Sequence, residues 1–160
     1  MKKIHTRYLI LHTKYSSGFT LIEILISIAL IAVLISILVF RLNPASILAK
    51  ARNDQRELNI NVILNAIGQN IANNSGVFNC EAGPIPTSTP VLIGSSTYNI
   101  YDCLIPEFMS AMPVDPQTGT TGNSSSTYDT KYDITRNPTT TQITISAPDA
   151  ELEETITVTR

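Results

Sequence analysis

Gly18-Phe19-Thr20-Leu21-Ile22-Glu23 opens the stretch that decides the fold, and Phe19–Phe40 (FTLIEILISIALIAVLISILVF) completes it. Eighteen of those 22 residues are apolar; the exceptions are Thr20, Glu23, Ser27 and Ser36. Neither Gly nor Pro interrupts the run. As a helix it is about 33 Å long, and the hydrocarbon core of a bilayer is about 30 Å thick. The composition predicts one membrane-spanning helix. A secretory signal peptide has a shorter apolar region, roughly 7–15 residues, before a small-residue cleavage site. Here Phe40-Arg41-Leu42 follows instead. A plain anchor leaves Glu23 unexplained, because a carboxylate near the centre of a spanning helix costs about 2.5–3.5 kcal/mol and rarely lacks a partner.

Charge is unevenly laid out around this run. The 160 residues hold 11 Lys/Arg and 13 Asp/Glu, a formal net charge of −2. Residues 1–18 carry Lys2, Lys3, Arg7 and Lys14 and no acid, so the remainder has seven cations against thirteen acids, a net −6. His5 and His12 both lie in that first segment, and tryptophan is absent throughout. Without the first segment there is no histidine for a Ser/His/Asp triad, a Cys–His nucleophile or a histidine metal site. Asp129 and Asp133 could in principle do acid–base work, but no nucleophile motif accompanies them. No enzyme activity and no cofactor are expected. An acidic chain also argues against broad phosphate binding, so no direct nucleic-acid partner is expected.

With a basic segment before it and a long apolar helix after it, Gly18–Glu23 resembles the processing site of type IV prepilins. This is the class III signal shared by type IV pilins and type II secretion pseudopilins. The resemblance implies that a membrane aspartyl prepilin peptidase cuts between Gly18 and Phe19 and that the same enzyme methylates the new amino group of Phe19. It also implies that Glu23, the fifth mature residue, offsets the N-terminal amine of a neighbouring subunit during assembly. Two features depart from the family. Ser16-Ser17 stands where basic residues often precede the glycine, and Phe40 stands where many pilins have proline. Pro44 is the nearest proline, so a helix kink is expected at about Asn43-Pro44. Lys/Arg counts are equal on the two sides of the apolar run, so the resemblance and the two cysteines of the C-terminal domain, rather than charge, place the leader in the cytoplasm.

The expected domains are a cleaved basic leader (1–18), a transmembrane and filament-core helix (19–40), its amphipathic continuation (41–75) and a globular C-terminal domain (76–160). Apolar residues at 60/63/64/67/71 and 58/62 predict a broad helical stripe. Arg52, Asp54, Arg56 and Glu57 read as a solvated face with weak i,i+3 and i,i+4 pairs. Asn73-Asn74-Ser75-Gly76 supplies the stop, which would make one kinked helix from Phe19 to about Asn73. The segment from Ala51 to Phe78 also resembles the second half of pilin helices.

Residues 77–160 hold eight of the nine prolines and many Ser and Thr. Short β-type runs recur at Tyr98–Tyr101, Lys131–Thr135, Gln142–Ala147 and Thr155–Thr159. The last three predict an antiparallel meander with one face buried, covered by the amphipathic helix. The fold class is α+β and pilin-like: a long N-terminal hydrophobic helix packed on a small antiparallel sheet. Cys80 and Cys103 are the only cysteines. They are either two separate thiols or a bridge, and an extracytoplasmic domain favours the bridge. Met112-Pro113-Val114-Asp115-Pro116 resembles the Pro-x-Asp-Pro segment of pseudopilins. Asp115, Asp129 and Asp133 could supply oxygen ligands to calcium, or Asp115 could cap a turn.

These readings converge on a type IV pilin-like structural subunit that polymerises into a surface filament. The alternatives are a pseudopilin of a type II secretion system and a membrane-anchored monomeric binding module. Expected partners are further copies of the chain in a helical filament, the prepilin peptidase, an assembly ATPase and a platform protein, and the membrane before assembly. The precursor belongs in the cytoplasmic membrane and the mature subunit in an extracellular filament.

Overall fold

A computed structural model describes residues 18–41, 43–122 and 124–160. Residues 1–17 of the expected leader lie outside the described residues. The chain divides into an N-terminal unit ending at Asn43 and a second unit, Pro44–Arg160. The first holds one helix, α1 (Leu21–Arg41). Leu21–Val39 is long and apolar enough to cross a membrane, with a mean hydropathy of 3.0 and no residue of its apolar window buried.

The second unit begins with α2 (Pro44–Asn73). Pro44 occupies the first helical position, where its missing N–H is one that no carbonyl would have taken and its fixed φ suits the helix. Among the described residues α1 ends at Arg41 and α2 begins at Pro44, with residue 42 outside the described residues. At the far end Gly76 N donates to Ile71 O at 2.9 Å, and Ser75 takes the left-handed φ of 58°. This is a Schellman-type stop with serine at the position glycine usually fills.

Beyond it come β1 (Val91–Gly94), the short α3 (Tyr101–Leu104), β2 (Asp129–Arg136), β3 (Ile143–Ala147) and β4 (Ile156–Thr159). The strands form one antiparallel sheet in the order β1-β2-β3-β4. Alternation sets the buried face: Thr130, Tyr132 and Ile134 on β2, and Ile143, Ile145 and Ala147 on β3, are buried. Register aligns Ile134, Ile145 and Val158 across three strands. Ile60, Ile63, Leu64, Ala66 and Ile67 of α2 close the other side of the same core. The unit is α+β, with one helix covering one face of a four-stranded sheet.

Two expectations are corrected, and one strand was not foreseen. Tyr98–Tyr101 is not a strand: only Tyr98 bridges, to Ile93, and Asn99 Oδ1 accepts from Tyr101 N at 3.3 Å where α3 starts. The missed strand is β1, four residues between Pro90 and a bend, too short to show a period. Leu58 and Val62 do not join the stripe; they are 60% and 45% exposed. The buried stripe instead runs Ala49, Asn53, Arg56, Ile60, Ile63, Ile67, Asn70, with polar residues at both ends.

Candidate functional site

Two groups of side chains carry the chemistry. The first is the start of α1. Thr20 Oγ1 accepts from Glu23 N at 3.3 Å, and Glu23 Oε2 accepts from Thr20 N at 3.5 Å. Thr20-x-x-Glu23 is thus a reciprocal capping box, though a long one, satisfying two backbone donors at the helix start. Ser27 Oγ donates to Glu23 O at 2.7 Å, and Ser36 Oγ donates to Ala32 O at 2.8 Å. All four polar exceptions in the apolar run therefore have partners within their own helix. That is what lipid demands of a polar group. Glu23 is the one ionisable side chain among the four.

Gly18 stands just outside α1. A Cβ built on it would meet nothing within 4 Å among the described residues. Phe19 beside it is 78% exposed.

A protein-family model describing the prokaryotic N-terminal methylation motif matches residues 13–39. The chain carries a class III prepilin signal. That signal is shared by type IV pilins and pseudopilins and supports a pilin or pseudopilin precursor. No curated protein and no solved structure matches the chain. Within the prepilin signal, Gly18, Phe19 and Glu23 are the positions the sequence reading singles out, and the apolar α1 makes up most of its length.

The second group was missed by sequence reasoning. Arg56 and Asp115, 0% and 2% exposed, form an ion pair with Nε to Oδ2 at 2.6 Å and Nη2 to Oδ1 at 3.4 Å. Arg56 Nη1 donates to Asn53 Oδ1 at 2.8 Å and to Glu151 Oε2 at 3.0 Å. Arg52 holds the same Glu151 through two bonds of 2.6 Å. Asn53 Nδ2 donates to Glu151 O and Glu154 Oε2, each at 2.8 Å, while Glu151 N donates to Asn53 Oδ1 at 3.0 Å. Asn59 Nδ2 adds bonds to Val114 O at 2.8 Å and Tyr132 Oη at 3.0 Å. The expected solvated face over Arg52 and Arg56 is therefore corrected. Only Asp54 and Glu57 of that set are exposed.

Asp115 earns its place through backbone as well as charge. Oδ1 accepts from Gln117 N at 2.8 Å, Thr118 N at 2.9 Å and Thr118 Oγ1 at 3.1 Å. This is an Asx-type turn. A Cβ on Gly119 would sit 2.6 Å from Asp115 N and 2.7 Å from Asp115 O, so glycine is required for the turn to close. Burial would raise the Asp115 pKa, but Arg56 and the Thr118 and Gln117 amides outweigh it and hold the carboxyl below its ordinary value. Burial would likewise lower Arg56, but its bonds to Asp115 and Glu151 outweigh that and raise it. Hydrogen bonds from Arg52 and then Arg56 bring Glu151 down to about 2.

The three aspartates considered for calcium are not gathered. Asp115 is engaged as described, and Asp129 holds Lys131 Nζ at 2.7 Å. Burial, then the charge of Asp149, pushes the Asp133 carboxyl up. No group of three or more metal-ligating side chains occurs among the described residues. Cys80 and Cys103 are joined in a disulfide, with Cα atoms 5.2 Å apart. Asn70, at the far end of the α2 stripe, donates to Asn79 O at 3.1 Å and Cys103 O at 3.0 Å, and accepts from Asn79 N at 2.9 Å. Both ends of the stripe are thus clasped to loops by buried polar side chains.

Proposed function

We propose that this chain is a type IV pilin-like structural subunit, cleaved after Gly18, N-methylated on Phe19 and polymerised into a surface filament. The observation that carries the proposal is the prepilin signal set on an apolar helix whose hydroxyls are all internally bonded. Such a helix is suited to lipid first and to the apolar interior of a polymer afterwards. Burial of apolar surface at about 25 cal/mol per Å² would hold neighbouring copies together. A repeated head-to-tail interface gives an open helical polymer. The precursor has residues 1–18 on the cytoplasmic side and the unit Pro44–Arg160 outside, where Cys80–Cys103 can persist. The prepilin peptidase, the assembly ATPase and the platform protein act on it in turn. A position 18 where a Cβ would meet nothing among the described residues is in keeping with a requirement for glycine imposed by a peptidase.

Glu23 pairs with the Phe19 amine of a neighbouring copy as the helix leaves the bilayer. A displaced subunit would bury both charges unpaired, at about 3–5 kcal/mol for a lost partner. Two substitutions separate this role from the capping box. Glu23→Gln keeps a side chain that can serve the box but removes the charge, and Glu23→Leu removes both. Both variants are expected to insert and be cleaved normally and to lose filaments. Normal filaments from Glu23→Gln would assign Glu23 to capping alone. Intact mass and N-terminal sequencing of sheared surface material tests the whole proposal. The expected chain begins at N-methylated Phe19 and pellets as a polymer. A chain retaining residues 1–18 and found only in membranes would sink it and return the anchored binding module.

A second reading, a pseudopilin of a type II secretion system, is favoured by one feature, the Pro113-Val114-Asp115-Pro116 segment. Deleting the chain distinguishes the two. Lost surface filaments identify a pilin, and lost secretion of exported proteins identifies a pseudopilin.

A further inference from the structure

Strand β2 points Thr130, Tyr132 and Ile134 into the core, and the next residue on that face is Arg136. Its backbone is fixed, pairing with Ile143 and donating from N to Pro86 O at 2.7 Å. Its side chain has no such partner among the described residues. Arg136 Nε is the one buried side-chain nitrogen or oxygen without a hydrogen bond among the described residues. A buried donor on a charged group is expensive to leave unmet. Arg136 borders a recess of about 240 Å³ whose other walls include Ile71, Phe78, Pro84, Ile85 and Ile143. A guanidinium set among apolar walls is complementary to a carboxylate on a short apolar stem.

We propose that this recess is a socket for an aspartate or glutamate side chain of a second copy of the chain. The inference rests on the filament reading above. Charge selects the occupant. The unit Pro44–Arg160 carries twelve Asp/Glu against six Lys/Arg. Of the six, Arg52, Arg56 and Lys131 are spent on ion pairs within the chain. Arg160 is engaged by Asn61 and Asn65, which leaves Lys50, exposed on α2, and Arg136 beside the recess. The surface of the unit is therefore rich in exposed carboxylates such as Asp54, Glu57, Glu81 and Glu107, which form no salt bridge among the described residues. Copies each bearing a net −6 repel unless a contact brings a cation to one of those acids. Arg136 has its strand fixed and its side chain unpaired, so it can supply that contact. A glutamate fits best, its methylenes against Phe78 and Ile85 and its carboxylate across the guanidinium edge.

The test uses full-length protein expressed in cells, with sheared filaments as the readout and membrane precursor level and Phe19 processing as controls. Arg136→Glu is expected to lower filament yield by about tenfold, as for losing one charge-assisted hydrogen bond, with precursor and processing unchanged. Arg136→Lys keeps the charge and is expected to keep filaments. In filaments of Arg136→Lys from cells shifted from light to heavy isotope medium, so that one filament holds both, a zero-length carbodiimide should join position 136 to an acid of the other isotope. Substituting that acid by arginine should restore filaments to Arg136→Glu. Wild-type filament yield from Arg136→Glu, or position 136 coupled only within one copy or not at all, overturns the socket and leaves the filament reading intact. If the wild-type chain yields no polymer, both readings fall.

Discussion

Replacing Arg56 by alanine should be among the most damaging single changes in this chain outside the apolar core. The side chain is 0% exposed and its partner Asp115 is 2% exposed, so neither water nor salt can screen what is lost. Arg56→Ala leaves the Asp115 carboxylate buried with only the Gln117 and Thr118 donors, and removes one of the two arginines on Glu151. Removing one partner of a buried pair typically destabilises by about 3–5 kcal/mol. For a unit of this size that corresponds to a fall in Tm of about 10–25 °C. The assay is near-ultraviolet circular dichroism of the mature chain in detergent, followed through thermal and urea unfolding. Tyr98, Tyr101, Tyr128 and Tyr132 all lie in the second unit and none in α1, so the signal reports the unit that Arg56 holds. Asp115→Asn keeps the side-chain carbonyl that caps the turn and removes the charge. In that background Arg56→Ala should cost less, with a coupling energy of about 1–3 kcal/mol. A loss under about 1 kcal/mol, as for an ordinary surface substitution, would refute the clasp, as would an equal loss in both backgrounds.

The other expectations are narrower. Gly119→Ala brings a methyl within 2.6 Å of Asp115 N, so the Asx turn must open; a loss of about 1–3 kcal/mol is expected in the same unfolding assay. Reducing Cys80–Cys103, or substituting both cysteines by serine, frees a loop of 23-residue separation, worth about 3.4 kcal/mol in the chain-entropy estimate and measurable as the Tm difference between oxidised and reduced protein. Acid should destabilise the wild type: Asp115 and Glu151 are lowered in the folded state, so their contribution is present above the ordinary carboxylate range and lost as pH falls through the folded values, for Glu151 from 4.5 down to about 2. Arg56→Ala should flatten that acid limb, which a pH series of urea midpoints would reveal.

How much of this was legible in the sequence follows from which signals are periodic. α1 could be read because nothing within it competes with apolarity over eighteen residues of 22. The β2–β3–β4 meander was legible because Ile143, Ile145 and Ala147, with Ile156 and Val158, alternate cleanly and one face must be buried. β1 was not, since four residues with a bulge opposite them give no period to count. Arg56 was misread because charge was weighed by residue type rather than by position. The apolar stripe at 60, 63 and 67 extends backwards by helical spacing to Arg56, Asn53 and Ala49, and forwards to Asn70. Continuing the geometry of the stripe, instead of its hydropathy, would have placed those residues inside. What no stripe could have supplied is the partner: Asp115 and Glu151 reach Arg56 from 59 and 95 residues away.

That distance explains why the stripe ends in polar residues at all. An apolar helix face on an apolar sheet face defines contact but defines register weakly. Sliding α2 by one turn, about 5.4 Å, would still lay isoleucines against isoleucines, because Ile60, Ile63, Ile67 and Ile71 repeat at near-helical spacing. The same slide would strand Arg56 from Asp115 and Glu151 at one end and Asn70 from Asn79 and Cys103 at the other. Each loss leaves a buried polar group unmet, which is costly in a way that exchanged methyl contacts are not. The isoleucines therefore provide the adhesion and the two polar ends provide the address, the specifying role that buried polar groups have in other helix interfaces. Both ends also hold segments that alternation cannot organise: the Asp115 turn and the β3–β4 connection at one, the disulfide loop at the other. On the filament reading proposed above, every copy must present the same surface, and the clasps fix that register with residues inside a single chain.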